Sequence, residues 1–408
     1  MTTAVLEIDG VSAQRRLAPA SADELAEALH AADLAGQAVA PVGGGTQLDL
    51  GMPPNRLDAV IETTRLDQVV EYEPADLTIT VEAGIRFATL QSLLAKQGQF
   101  LALDPPADVA ATLGGLIATN ASGPLRFAHG TARDLVIGTR VANADGALTR
   151  SGGRVVKNVA GYDLNKLYIG SLGTLGIIVE LSLKLAPIPP ATASVIAQFA
   201  DLDDVRRVLS AVIHSPLSPL AVELLAPMAS SAAGLTPAHL VVFRVGGYPQ
   251  AVERQVRDLS ELLAQRGGQR VDASQAAWDD LAASRLAALR RPIVLKAAAP
   301  ISASTTLLNV LETRLQGLDP IVWSHAGSGV AFAACDVPTD ATGLLEARRE
   351  IAGLGSNASL VIQRCPTLLK AEVDVWGDPG SSLPLMRALK NKLDPRGTLN
   401  PGRYVGGL

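Results

Sequence analysis

Gly43, Gly44, Gly45, Thr46 and Gln47 follow a short apolar run that breaks at Pro41, in the stretch "VAPVGGGTQLDLG". Backbone N–H groups in a glycine loop can all turn toward one anion, and a missing Cβ lets a ligand come close, so phosphate recognition is the chemistry this spacing suggests. Two familiar templates do not fit. A P-loop requires Gly-Lys-Ser/Thr after a four-residue gap, and the dinucleotide fingerprint requires a third Gly or Ala where Leu48 stands. Read alone, the cluster is an ordinary turn. A second cluster, "GLGSNA" at Gly353–Ala358, satisfies G-x-G-x-x-A formally. It follows a predicted helix and precedes a predicted strand, the reverse of the order that would aim a helix N-terminus at a phosphate.

The bulk composition narrows the function further. At 408 residues the chain is long enough for two or three cores. Charged residues make up 18%, the net charge is −5 and aromatics are 3%, so the chain carries no electrostatic footprint for nucleic acid. Its 25 prolines and 37 glycines are spread through an Ala- and Leu-rich chain, which reads as globular. Cys335 and Cys365 are the two cysteines, too few for a disulfide framework or an iron–sulfur cluster, so electrons would have to leave by another route. The N-terminus lacks a basic stretch followed by an apolar core, and no apolar segment reaches about 18 residues. The expected location is the cytoplasm, with at most peripheral association at the inner membrane through partners.

These residues need elements to hold them. Ser21 to Glu24 reads as a capping box opening the helix "SADELAEALHAADLAG", with Leu25, Leu29 and Ala32 on one face. A strand, "QAVAPV", leads into the glycine loop. Strands are expected around 59–62, 69–72 and 78–82, and a helix over 87–97. Beyond Pro187, Pro189 and Pro190, which mark a hinge, one order of elements occurs twice. Strand 192–199, helix 202–213, strands 220–226 and 239–246, helix 249–265 and strand 269–273 give β-α-β-β-α-β. Strand 293–299, helix 302–316, strands 320–325 and 329–336, helix 342–353 and strand 359–363 repeat it. The tail "LPLMRALKNKLDPRGTLNPGR" reads as a short helix ended by Pro395 and a turn-rich segment that docks.

Three more segments bear on the glycine loop: "DPPADVAATLGGLIATNASGPLRFAHGTARDLVIG", "GGRVVKNVAGYDLNKLYIGSLGTLGIIVELSLKL" and "LDPRGTLNPGR". Together with the loop they resemble the FAD-binding family of the vanillyl-alcohol oxidase type (PCMH-type), over residues of about 38–186 and 393–403. The resemblance implies an α+β fold: a two-part FAD-binding domain at 1–187, a second domain at 188–380 built from the two ferredoxin-like units, and a tail at 381–408 that returns to the FAD domain. Pro41, Gly43, Gly44, Gly45, Thr46, Gln47 and Leu48 would form the pyrophosphate loop. Pro105, Thr112, Gly114, Gly115, Thr119, Asn120 and Gly123 would run beside the flavin and its ribityl chain, followed by His129, Gly130 and Asp134. Gly173 and Gly176, with the backbone of Ile177 and Ile178, would bracket the adenine end, and Asn400 and Arg403 would close the site. Lys157, Tyr162, Asp163 and Lys166 belong to a phrase the family carries just upstream, where their charges read as structural. Covalent relatives place His in the pyrophosphate loop, or His or Cys in the second segment; Thr46 stands at the first of these places, so FAD is expected to bind without a covalent bond.

Within this family the chain resembles the E-type subunits of bacterial glycolate oxidase, the smaller of two FAD-type chains that assemble with an iron–sulfur subunit. Catalytic relatives carry H-x-G-D-G-N-x-H on the second domain and a Glu-His pair further on. "SHAGSGVAF" keeps His325, Gly327 and Gly329 but has Ser328, Val330 and Phe332 at the other positions, and "VIQRCP" offers Arg364 and Cys365 in place of Glu-His. One His cannot hold a divalent metal, so no metal site is expected. The remaining candidates for catalysis are His325 and His129 as bases and Arg364 as a carboxylate partner. Each has a plainer reading, a locally bonded turn histidine or a surface ion pair. The expected function is therefore that of a FAD-binding subunit of a glycolate-oxidising complex, partnered by a larger catalytic FAD-type chain and an iron–sulfur chain. The alternative is a self-sufficient FAD-dependent dehydrogenase or oxidase of a small 2-hydroxy acid such as D-lactate.

Overall fold

A computed structural model describes residues 6–153, 162–274 and 276–408. Lys157 lies outside the described residues. Contacts within the chain define two units: Met1–Ser122, Gly130–Ile188 and Asp378–Leu408 form unit 1, and Gly123–His129 with Pro189–Gly377 forms unit 2.

After a short antiparallel pair (Glu7–Ile8 and Val11–Ser12), unit 1 runs through strand β1 (Arg15–Leu17), helix α1 (Ala22–Leu34), and strands β2 (Val39–Val42) and β3 (Ala59–Glu62). Ser21 Oγ accepts from the Glu24 N–H, and the Glu24 carboxylate accepts from the Ala20 N–H, so the first turn of α1 is capped from both sides. Leu25, Leu29 and Ala32 recur at helical spacing and pack on Val39, Ala59 and Ile61. The three strands pair in parallel with β3 central.

The second layer comprises β4 (Val69–Glu73), β5 (Thr78–Glu82), helices α2 (Phe87–Ala95) and α3 (Leu113–Ala118), then β6 (Val136–Ala142), β7 (Leu148–Gly152) and β8 (Ile177–Lys184). The strands form an antiparallel sheet in the order β7-β6-β8-β5-β4. A register shift between Ile178 and Glu180 lets β8 serve two cores. Ile177 and Val179 face the α1 core, whereas Leu181 and Leu183 face the core shared with α2 and α3. In a regular strand all four would share a face; the extra residue reverses it.

In unit 2 the chain runs through β9 (Ala191–Phe199), α4 (Leu202–Ile213), β10 (Ala221–Leu225), β11 (His239–Gly247), α5 (Pro249–Gln265) and β12 (Gln269–Arg270). A connecting helix α6 (Ala277–Ala288) precedes β13 (Ile293–Ala298), α7 (Ser304–Arg314), β14 (Ile321–His325), β15 (Val330–Cys335), α8 (Thr342–Ala352) and β16 (Ser359–Arg364). These are two β-α-β-β-α-β repeats joined edge to edge through β10 and β14, giving one eight-stranded sheet in the order β12-β9-β11-β10-β14-β15-β13-β16. Helix α6 and a short helix at Pro227–Ala232 are additions to the expected order. Strand β12 is shorter than the expected 269–273.

The C-terminal segment belongs to unit 1. Lys390, on the helix Leu383–Leu393, is buried and donates to Asp394 Oδ2 at 2.5 Å and to the carbonyls of Leu399 (2.7 Å) and Thr174 (2.8 Å). The backbone beyond it pairs with the edge of β2: the Val39 N–H donates to the Thr398 carbonyl, and the Asn400 N–H donates to that of Val39. Among the described residues no helix is long and apolar enough to cross a membrane.

Candidate functional site

Strand β2 ends at Val42 and the glycine loop begins. A Cβ on Gly43 would fall 2.1 Å from Thr112 Oγ1, one on Gly44 would fall 1.7 Å from the Ala110 carbonyl oxygen, and Gly45 has φ +71°. The bare backbone at Gly43 and Gly44 is therefore demanded by the protein's own segment Ala110–Thr112, which lies against the loop. Gly45 is demanded by the left-handed turn.

The loop forms one wall of a cleft in unit 1, open to solvent, with about 860 Å³ free of protein atoms. Pro41, Gly43, Gly44, Gly45, Thr46, Gln47 and Leu48 line it together with Thr112, Gly114, Gly115 and Thr119. Gly173, Gly176, Ile177 and Ile178 come from the loop before β8 and its first residues, and Asn400 and Arg403 come from the tail. Ile8, Thr63 and Leu172 line it as well; nothing in the sequence around Ile8 or Thr63 marks them, whereas Leu172 stands beside Gly173 in the quoted segment.

Electrostatically the cleft is simple. Arg403 is the charged residue of its lining and is 3% exposed. Burial pulls its guanidinium below the ordinary value, with Asp9 and Asp49 acting in the opposite sense. Asn400 sits at φ 47° and donates through Nδ2 to the Leu172 carbonyl at 2.7 Å, while its Oδ1 is buried with no hydrogen-bond partner. An unsatisfied buried acceptor costs about 1–3 kcal/mol, which a donor on a bound molecule would recover. Loop amides, a buried guanidinium and an unpartnered acceptor on one cleft fit FAD.

Six expected cofactor residues fall elsewhere. Asp134 accepts from the Thr131 N–H at 2.8 Å in a capping box, and a Cβ on Gly130 (φ +83°) would meet that carboxylate at 2.5 Å, so both residues build a turn. Gly123 and His129 belong to unit 2, His129 ending the helical turn Arg126–His129. Pro105 and Asn120 are outside the cleft lining; Asn120 packs its Cβ near Gly170, and its Oδ1 is buried without a partner. Tyr162 is exposed, and Lys166 pairs with Asp163 at 3.0 Å on the surface.

His325 closes β14 and is 3% exposed. Its Nδ1 lies 2.8 and 3.0 Å from the two oxygens of Glu223 on β10, and Arg285 from α6 donates to Glu223 Oε2 at 2.7 Å. Burial depresses the imidazole below its ordinary value; Glu223 opposes this, and the charges of Arg285 and Arg126 add to it. A neutral ring donating Nδ1–H to a carboxylate follows. The expectation of a locally bonded hairpin histidine is corrected: its partner is 102 residues away. Gly327 is kept for packing, because a Cβ there would fall 2.7 Å from the Phe127 ring. Arg364 donates to the Leu289 carbonyl at 3.0 Å instead of standing in a surface ion pair alone. Burial drives the Cys335 thiol up to about 12, which leaves it unreactive. Among the described residues no group of three or more His, Cys, Asp or Glu is placed to hold a metal.

The fold is one shared with p-cresol methylhydroxylase, and the cleft is that of a FAD-binding domain. The crystal structure of p-cresol methylhydroxylase with substrate bound superposes with a TM-score of 0.75 at 15% identity, over 95% of this chain and 88% of that one. The family profile for the FAD binding domain matches residues 13–152, and that for the C-terminal domain of FAD linked oxidases matches 188–350 and 379–404. The chain belongs to the FAD-linked oxidases, a family of oxidoreductases. It is 28% identical over 414 residues to glycolate oxidase subunit GlcD of Bacillus subtilis, covering 95% of this chain and 88% of that protein. It is 39% identical over 150 residues to subunit GlcE of Escherichia coli, covering 36% and 42% respectively.

Proposed function

We propose that the chain is the FAD-binding subunit of a glycolate oxidase complex, working with a larger catalytic FAD-type subunit and an iron–sulfur subunit to oxidise glycolate to glyoxylate. The observation that carries this reading is a contrast. Unit 1 has a cleft fitted to FAD, while the unit 2 hairpin holds His325 without the acidic, amide and second imidazole groups that would make a metal centre there.

FAD, when bound, supplies a ring that accepts a hydride equivalent. The chain's own contribution is to hold it: loop amides and Thr46 share the pyrophosphate charge, the buried Arg403 adds a fixed cation, and Asn400 Oδ1 accepts from a cofactor donor. Cys335 and Cys365 are both buried and too few for a cluster, so electrons leave through a partner.

The test is an anaerobic visible spectrum of the purified chain with glycolate and then D-lactate, repeated with partner chains added. A flavin band that bleaches only with the partners supports the subunit reading. Bleaching of the chain alone overturns it in favour of a self-sufficient 2-hydroxy acid dehydrogenase, a second reading favoured by the buried His325–Glu223 pair, whose geometry is that of a base and its orienting carboxylate.

A further inference from the structure

The one residue that the helix Leu383–Leu393 buries is a cation, Lys390. A surface helix ordinarily buries apolar side chains, and a lysine goes inside only when it is paired. Lys390 is paired three times over, with Asp394 Oδ2, the Leu399 carbonyl and the Thr174 carbonyl, so each ammonium hydrogen has its own acceptor. Asp394 is held in turn by the N–H groups of Thr398 at 2.9 Å and Leu399 at 2.8 Å. An aliphatic residue would fill the same space without the cost of desolvating a charge. What the charge adds is convergence, because it draws together two segments 216 residues apart.

Those two segments are walls of the FAD cleft. Thr174 stands between Gly173 and Gly176, and Leu399 stands directly before Asn400; the two glycines, Asn400 and Arg403 all line the cleft. A Cβ on Gly173 would fall 2.4 Å from Pro41 Cγ, so the loop that Lys390 holds is pressed against the entry to the glycine loop. The tail is fastened to the rest of unit 1 by Thr398 Oγ1, which donates to Asp33 Oδ1 at 2.9 Å, and by Arg396, which pairs with the same carboxylate. Helix α3, on another wall, has anchors of its own: the N–H groups of Leu113 and Gly114 donate to the carbonyls of Ile85 and Ala83. The charge on Lys390 therefore governs one part of the cleft more than the other.

We propose that Lys390 is a positioning residue for FAD, whose ammonium sets the Gly173 loop and the tail at the spacing that the AMP half of the cofactor requires, and so makes the site select FAD over FMN. FMN ends at a single phosphate and lacks that half, so it gains little from these two walls. The assignment rests on placing the AMP half between Gly173, Gly176, Asn400 and Arg403, and it is independent of the substrate and partners that the chain serves.

The test titrates full-length apoprotein with FAD and, separately, with FMN, following the flavin absorbance change. Lys390→Gln keeps a similar volume and an amide donor while removing the charge. Its affinity for FAD is expected to fall at least about tenfold and that for FMN by less than about threefold, as loss of charge-assisted contacts on one part of the cleft predicts. Lys392→Met, at an exposed position of the same helix, is expected to bind both flavins like the parent. A general loss of stability would weaken both flavins together, so an equal fall for FAD and FMN overturns the proposal, as does an unchanged FAD affinity. Equal affinity of the parent for the two flavins overturns it at an earlier step, by removing the AMP half from these walls. A measurement on the parent alone covers the case in which Lys390→Gln does not fold. FAD is expected to slow backbone amide exchange in both 170–178 and 394–403, and FMN in neither; protection of one segment without the other overturns the coupling through Lys390.

Discussion

Arg403 Nη2 donates to the Leu48 carbonyl at 2.8 Å, across 355 residues of sequence, and also reaches the Leu50 carbonyl. The C-terminal tail thus holds the far end of the glycine loop, and the same guanidinium lines the cleft. Arg403→Met should weaken FAD binding by about tenfold to a hundredfold, the equivalent of one charge-assisted hydrogen bond of about 1.5–3 kcal/mol. The flavin-to-protein ratio after gel filtration reads this directly. Full retention of flavin would show that the tail is only a brace.

Gly44 and Gly115 both line the cleft, yet they should respond differently to alanine. A Cβ on Gly44 meets a backbone carbonyl oxygen at 1.7 Å, which cannot rotate away, whereas the nearest atom to a Cβ on Gly115 is Thr112 Oγ1 at 3.2 Å. Gly44→Ala should therefore cost about 1–3 kcal/mol or more in the apoprotein, and Gly115→Ala little, since it gains helix propensity within α3. Comparable melting temperatures for the two variants would refute the packing argument.

Both cysteines lie in unit 2, and Thr46 occupies the loop position at which covalent relatives carry His. Flavin should accordingly pass into the supernatant when the purified protein is precipitated with acid. Yellow colour retained in the washed pellet would mean a covalent bond that this reading excludes.

Lys296 makes stability depend on pH. The unfolded chain keeps this proton up to the ordinary value of 10.5, whereas the folded chain gives it up at about 8, a difference of about 3 kcal/mol against the charged form. The unfolded state therefore binds more protons between these values, so the penalty is full below pH 8 and fades as pH rises to 10.5. Lys296→Met should be the more stable protein at pH 7, by up to about 3 kcal/mol, with the advantage shrinking by pH 10. Denaturant titrations at both values check this, and an advantage that does not change with pH would remove Lys296 as its cause.

Much of unit 2 is legible in the amino-acid order alone. Helix α4 and helix α5 run over the expected residues, and the strands of both repeats fall within one or two residues of expectation apart from β12. Amphipathic periodicity and alternation are local signals, and these elements obey them. Helix α6 escapes because its Ala-rich sequence, "AWDDLAASRLAA", presents no clear apolar stripe, although it delivers Arg285 to Glu223. The glycine loop is legible as a cluster but its cause is not, since the Ala110 carbonyl that forbids a side chain at Gly44 lies 66 positions further along the chain.

The sequence by itself determined the order of elements, the doubled β-α-β-β-α-β pattern and the glycine cluster after Pro41, because each depends on neighbours a few positions apart. Tertiary structure alone decided which of those residues share a cleft, that Arg403 joins the loop to the tail, and that His325, Glu223 and Arg285 meet. Strand β10, "AVELL", reads as a plain buried strand with one misplaced acid until β14 is laid beside it. That pairing is fixed by strand order and register across the whole sheet, which local propensity does not encode.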